Sequence, residues 1–217
     1  MDWEELKNDA YHLEDDQWIQ KYDIKNSRII EATRYFSSEN SAFCQEVSNL
    51  ETGGLNVNDF KAFCRIFLLG QNFALTQEEQ EEINPSPLQL CGSYTNEKMG
   101  GTYTQICCYS TDQSIYVTFG YIKDILYGGH TYFTDPKMPE YQFDPIEMIL
   151  ISGHEEQRHA IDDTQGNVKF GTHKSHDSII QGHCTPEQAK EYISDPAERA
   201  VIPYKEELIR NLRSTSR

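Results

Sequence analysis

The sequence predicts an α+β protein: a small, mainly antiparallel sheet packed by one helix of metal-binding type and by C-terminal helices, preceded by a helical part. Three observations lead there. Helical apolar spacing recurs within residues 1–85. Short runs rich in β-branched and aromatic residues, bounded by Gly, Ser, Asp or Asn, occupy residues 88–135. Helix start signals return from Asp144 onward.

In chain order, Ser27–Phe36 and Asp59–Leu69 have helical spacing. Thr76-Gln77-Glu78-Glu79 is a capping box, in which the Thr and Glu side chains each satisfy a backbone N–H left over at a helix start. Glu51 to Phe60 has a faint likeness to the second half of a calcium loop, but the alternating Asp/Asn oxygens before its glycines are missing, so it is discounted. Asn84-Pro85-Ser86-Pro87 breaks a helix and divides a helical part, residues 1–85, from an α+β part, residues 86–217. Thr102–Tyr109 and Ser114–Phe119 read as strands, with turns at Gly100-Gly101 and Thr111-Asp112-Gln113, the second closing a hairpin. Tyr121–Tyr127 fits either a strand or a short helix. Gly128-Gly129 and Thr134-Asp135-Pro136 read as loops.

Asp144-Pro145 then opens a helix with three signals: an N-cap Asp, Pro at the first helical position and Glu147 at the capping-box position. The helix should run over 145–163, with Ile146, Ile149 and Leu150 buried in its first half. Thr164–Gly182 is loop-like. Thr185-Pro186-Glu187 starts another helix, and Asp195-Pro196-Ala197-Glu198 starts the last, which ends in the basic residues Arg210, Arg213 and Arg217.

Composition bounds the function. The chain has 217 residues, 37% of them hydrophobic and 12% aromatic, enough for a packed core. A net charge of −16 and a pI near 4.8 argue against nucleic acid or an anionic membrane as partners and leave room for a cationic protein partner. No apolar run approaches the ~20 residues of a membrane span. Met1-Asp2-Trp3-Glu4-Glu5 is not a secretory leader, so a cytoplasmic location is expected, with non-classical export as the alternative. Six cysteines include no C-x-x-C pair, which removes a thiolate zinc knuckle or a thioredoxin-like site. No Gly-rich phosphate loop and no G-x-S-x-G are present, and Cys184 beside His183 is a sequence neighbour rather than a dyad.

The chemistry concentrates in Gly153-His154-Glu155-Glu156-Gln157-Arg158-His159. Residues three, four and seven apart share a helix face, so Glu155, His159 and Asp162 form one stripe, with Glu156 beside it. Of the seven histidines, five (His154, His159, His173, His176 and His183) fall within residues 154–183. Imidazoles and carboxylates on a mostly apolar helix suit metal or acid–base chemistry, while a helix end emerging into solvent would look similar.

The order of elements and two short motifs, over roughly residues 100–210, resemble the gluzincin type of zincin metallopeptidase. Those enzymes carry H-E-x-x-H on a helix behind a small sheet and a Glu ligand on a later helix. The resemblance implies Glu155, His159 and Glu198 as metal ligands and Glu156 as general base. It also implies His173 or His176 as an oxyanion stabiliser or further ligand. Here Glu155 stands where the first ligand His would be. The register starting at His154 places Arg158, which cannot bind metal, at the second ligand position. Glu198 also fits a capping box with Asp195. The implied activity is hydrolysis of an amide or peptide bond, on a peptide or small amide, through a water activated by a divalent metal. Zinc is favoured, with iron or manganese as alternatives for a carboxylate-rich site. Two other classes stay open: a binding or regulatory module on a degraded site, and a mononuclear non-haem iron oxygenase using His159, Glu155 and one of His173 or His176. The Glu156-x-x-His159 unit of di-iron bundles lacks a second copy.

Overall fold

The computed structural model describes residues 1–38, 44, 47, 55–96, 101–110, 112–167 and 186–214, and it is an α+β structure with an N-terminal helical part. The helical part comprises α1 (Trp3–His12), α2 (Asp15–Lys21), α3 (Ser27–Ser37), α4 (Val57–Ala74) and the short α5 (Glu79–Glu82). Arg65 of α4 ties the first helices to it. Its guanidinium donates to the Ala10 and Leu13 carbonyls at 2.9 and 2.8 Å and to Asp15 at 2.6 Å. The capping box at Thr76 forms as expected, with Thr76 N donating to Glu79 Oε2 at 2.8 Å and Glu79 N to Thr76 Oγ1 at 3.3 Å.

The sheet is small and mixed. Strands β1 (Leu88–Cys91), β5 (Ile115–Thr118) and β4 (Cys107–Tyr109) lie in the order β1-β5-β4, with β1 parallel and β4 antiparallel to β5. A ribbon pairs β2 (Tyr94–Asn96) with β3 (Gly101–Tyr103), and a hairpin pairs β6 (Phe133–Asp135) with β7 (Met138–Phe143). The expected single strand over 102–109 is therefore two strands. Thr118 breaks it: its hydroxyl donates to the Thr104 carbonyl at 2.7 Å and accepts from Ile106 N at 3.0 Å, bending the chain between them. Gly120 permits the approach, since a Cβ there would stand 1.9 Å from the Thr104 oxygen.

The ambiguous segment is helical, α6 (Phe119–Tyr127), capped by Thr118 and burying Phe119, Ile122 and Ile125. The expected loop at Thr134-Asp135-Pro136 is instead the end of β6 and a tight turn, because Met138 and Phe143 of β7 bury against Ile151 and Ile209 and draw the hairpin inward. Pro136 sits in the turn, where no N–H is required.

The helix expected over 145–163 is α7 (Pro145–Thr164), continuous, with Asp144 accepting from Ile146 N and Glu147 N at 2.8 and 2.9 Å. It crosses α4 at two glycines. A Cβ on Gly153 would meet the Phe67 carbonyl oxygen at 2.1 Å, and one on Gly70 the Leu150 oxygen at 2.0 Å. The absence of two methyl groups thus lets the helix backbones touch. One hydrophobic cluster runs from Leu6 and Trp18 through Phe63 and Phe67 to Ile149 and Leu150, so residues from both sides of Pro85 share it.

The C-terminal end holds α8 (Pro186–Ile193), α9 (Pro196–Ala200) and α10 (Ile202–Ser214). The single last helix expected from Asp195 breaks at Val201. Pro203 has no N–H for the Arg199 carbonyl, so the chain turns and starts again. Among the described residues no helix is long and apolar enough to cross a membrane.

Candidate metal centre

Glu155 and His159, one helical turn apart on α7, point to the same place, and Glu198 on α9 meets them there. One ligand atom from each lies within 4.8 Å of the others, and all three residues are buried. His159 Nε2 is 3.6 Å from Glu198 Oε2. Asp195 caps α9 by accepting from Ala197 N at 2.8 Å. Asp195 N donates to the Tyr192 carbonyl at 3.0 Å, and the Glu198 carboxylate turns inward to Lys137 and His159. Arg158 faces away, donating to the Ala74 carbonyl at 3.0 Å and to Glu79 at 3.2 Å, with its guanidinium 4.0 Å from the ring centre of Tyr204. His154 is buried with Nδ1 unpartnered, and burial, with Lys205 and Arg158 nearby, pushes its pKa down to about 3.

Two lysines complete the cluster, and the sequence reading did not include them. Lys137, in the two-residue turn between β6 and β7, donates to Glu155 Oε1 and, at 2.7 Å, to Glu198 Oε2; Tyr192 of α8 lies 3.3 Å away. Lys205 of α10 donates to Asp135 Oδ2 and, at 2.7 Å, to Glu155 Oε2. Both ammoniums are sealed in, with side chains 4% and 1% exposed. Their contacts are 18 to 70 residues apart in sequence, so no local motif could have shown them. The only hint was that cations are the scarcer charge, 19 Lys and Arg against 35 Asp and Glu.

The electrostatics follow from burial against these charges. Burial pushes the Glu155 carboxyl up, but Lys137 and Lys205 outweigh it and hold it down at about 2. Burial likewise acts against Glu198, and Lys137 and then His159 pull it well below the ordinary carboxylate range. His159 is pressed down by burial and raised more strongly by its contact with Glu198, for a net rise. Glu156 behaves differently. It reaches no ammonium, accepts one hydrogen bond from Tyr109 N of β4 at 2.7 Å, and burial lifts its pKa to about 7, against the pull of His159. Next to it, burial keeps the Cys107 thiol well above its ordinary range, so no ready thiolate nucleophile stands here.

A buried Glu-His-Glu group of this kind could hold a divalent metal ion. Donor types and spacing fit: one imidazole and two carboxylates make a hard, anionic set. Cations already stand in the cluster: Asp135, Glu155 and Glu198 face Lys137 and Lys205, with His159 beside Glu198. A dication fits if the cluster gives up positive charge in return. Of the remaining sequence candidates, His173 and His176 lie outside the described residues, as do His183 and Cys184. His130, in the turn after α6, stands beside Asp124 at 3.4 Å rather than with the triad.

Comparison with protein-family models, with curated proteins and with solved structures returns no match to this chain.

Proposed function

We propose that the chain is a metal-dependent hydrolase of an amide or peptide bond, in which Glu155, His159 and Glu198 hold a divalent ion and Glu156 is the general base. The convergence of Glu155, His159 and Glu198 from two helices, with Glu156 flanking them, carries this reading. The bound ion would polarise the scissile carbonyl and acidify a water molecule. Glu156 contributes a carboxylate that takes a proton near neutral pH and gives it up again, which suits proton transfer at that pH. Tyr109 N holds that carboxylate in place through one oxygen and leaves the other to work. Zinc is the favoured ion, and two carboxylates to one imidazole also admit manganese or iron. The resemblance to gluzincins supports a peptide or small amide as substrate.

One observation favours a second reading. Lys137 and Lys205 already neutralise the carboxylates, as they would in a binding module whose cluster serves only structure. Metal content separates the two. Protein purified without a histidine tag and dialysed against zinc, manganese or iron(II) should retain about one ion per chain, and His159→Ala should lose it. Glu156→Gln should keep the ion and lose hydrolysis of a peptide library by roughly 10²–10⁴-fold. Wild-type protein that retains none of the three metals ends the hydrolase reading.

A further inference from the structure

We infer that Lys137 is a built-in competitor for the metal: its ammonium occupies the cation position of the triad, and loading requires its side chain to swing out. This rests on the metal-site reading above and adds a control to it. Lys137 bridges the two carboxylates that would ligate, touching Glu155 Oε1 and standing 2.7 Å from Glu198 Oε2, while His159 approaches the same Glu198 oxygen at 3.6 Å. An ion bound by this triad would lie ~2 Å from each donor atom, which places it within about 5 Å of the nitrogen. An ammonium has three donors and no acceptor, so it cannot serve as a ligand, and two cations that close in a dry interior repel strongly.

The two lysines differ in their freedom to leave. Lys205 sits on α10 with its side chain 1% exposed and is held by Asp135 as well as Glu155. Lys137 sits in a turn whose neighbours Thr134 and Pro136 are exposed, on a four-carbon stem, and the turn is closed locally by Lys137 N donating to Asp135 Oδ1 at 2.8 Å. The strands behind it are pinned by Met138 and Phe143. The side chain can therefore swing out past Tyr192 while Lys205 keeps Asp135, and with it the hairpin, in place. The device sets a threshold: the site fills only when the ion outcompetes the chain's own cation.

The test uses the whole 217-residue chain and Mn²⁺ or Zn²⁺ alone. Calorimetric titration of Lys137→Met should show binding at least about tenfold tighter than wild type, with Lys137→Gln as a second variant in case Met disturbs folding; circular dichroism confirms that each is folded. In wild type, an amine-acetylating reagent followed by peptide mass mapping should label Lys137 several-fold faster once Mn²⁺ is added, with Lys205 unchanged. Equal or weaker affinity in both variants, or labelling indifferent to the ion, overturns the competition while leaving metal binding intact. Binding by the variants and not by wild type supports the competition and removes the hydrolase reading instead. No binding by any of the three proteins removes both.

Discussion

Glu156→Gln should stabilise the metal-free protein at pH 8 and leave it unchanged near pH 4. A glutamate in unfolded chain titrates near 4.5, and in the fold Glu156 titrates at about 7. The folded state therefore holds the proton more tightly. Below 4.5 both states carry it and nothing is at stake. Between 4.5 and 7 the unfolded chain has lost the proton and the folded protein has not, so stability falls as pH rises. Above 7 both are ionised and the full cost of burying the carboxylate remains. The interval from 4.5 to 7, at about 1.4 kcal/mol per pH unit, sets an upper value of ~3 kcal/mol. Glu156 keeps partial exposure, which brings the expectation nearer ~2 kcal/mol. Gln has the same shape, keeps an oxygen for Tyr109 N and never ionises. Urea denaturation of wild type and variant in chelator, at half-unit steps from pH 4 to 8.5, reads the difference directly. It should grow from near zero to ~2–3 kcal/mol and level off above pH 7. A difference that is flat with pH, or a variant less stable than wild type at pH 8, refutes the buried, unpaired carboxylate. The same substitution is expected to abolish hydrolysis, so stability and activity should move in opposite directions at this position.

Two further outcomes follow from packing and charge. Gly153→Ala should destabilise the fold by about 2–4 kcal/mol, because its methyl would meet the Phe67 carbonyl at 2.1 Å and force α4 and α7 apart; thermal melting checks it, and an unchanged midpoint would mean that the helices are not in backbone contact. Lys205→Met should cost about 3–5 kcal/mol by leaving Asp135 and Glu155 without their shared cation, and adding Asp135→Asn should recover part of the loss; a cycle with no coupling would dissolve the pair.

Local signals in the sequence determined the helix that carries the site. Asp144-Pro145-Ile146-Glu147 sets its start by satisfying backbone donors within three residues, and the four-residue spacing of Glu155 and His159 follows from helix geometry alone. The switch from helical to strand-like patterning near residue 88 was legible for the same reason, since period and β-branching are local properties. The parallel pairing of β1 with β5 was not, because its partners are joined by a crossover that no dipeptide announces. Neither was the turn at Asp135-Pro136-Lys137: as text it is a breaker, and only Lys205, arriving from 70 residues away, makes it part of the buried cluster. Glu198 shows the division most clearly. Its sequence context offers a helix cap, and that is the local minimum for such a residue. The fold instead places an imidazole and an ammonium in front of its carboxylate, and in a dry interior those long-range charges outweigh a solvent-exposed cap. Two of the three side chains that could meet a metal were therefore written along one helix. What already neutralises them was decided by tertiary packing, because charge compensation acts through space and leaves no period in the chain.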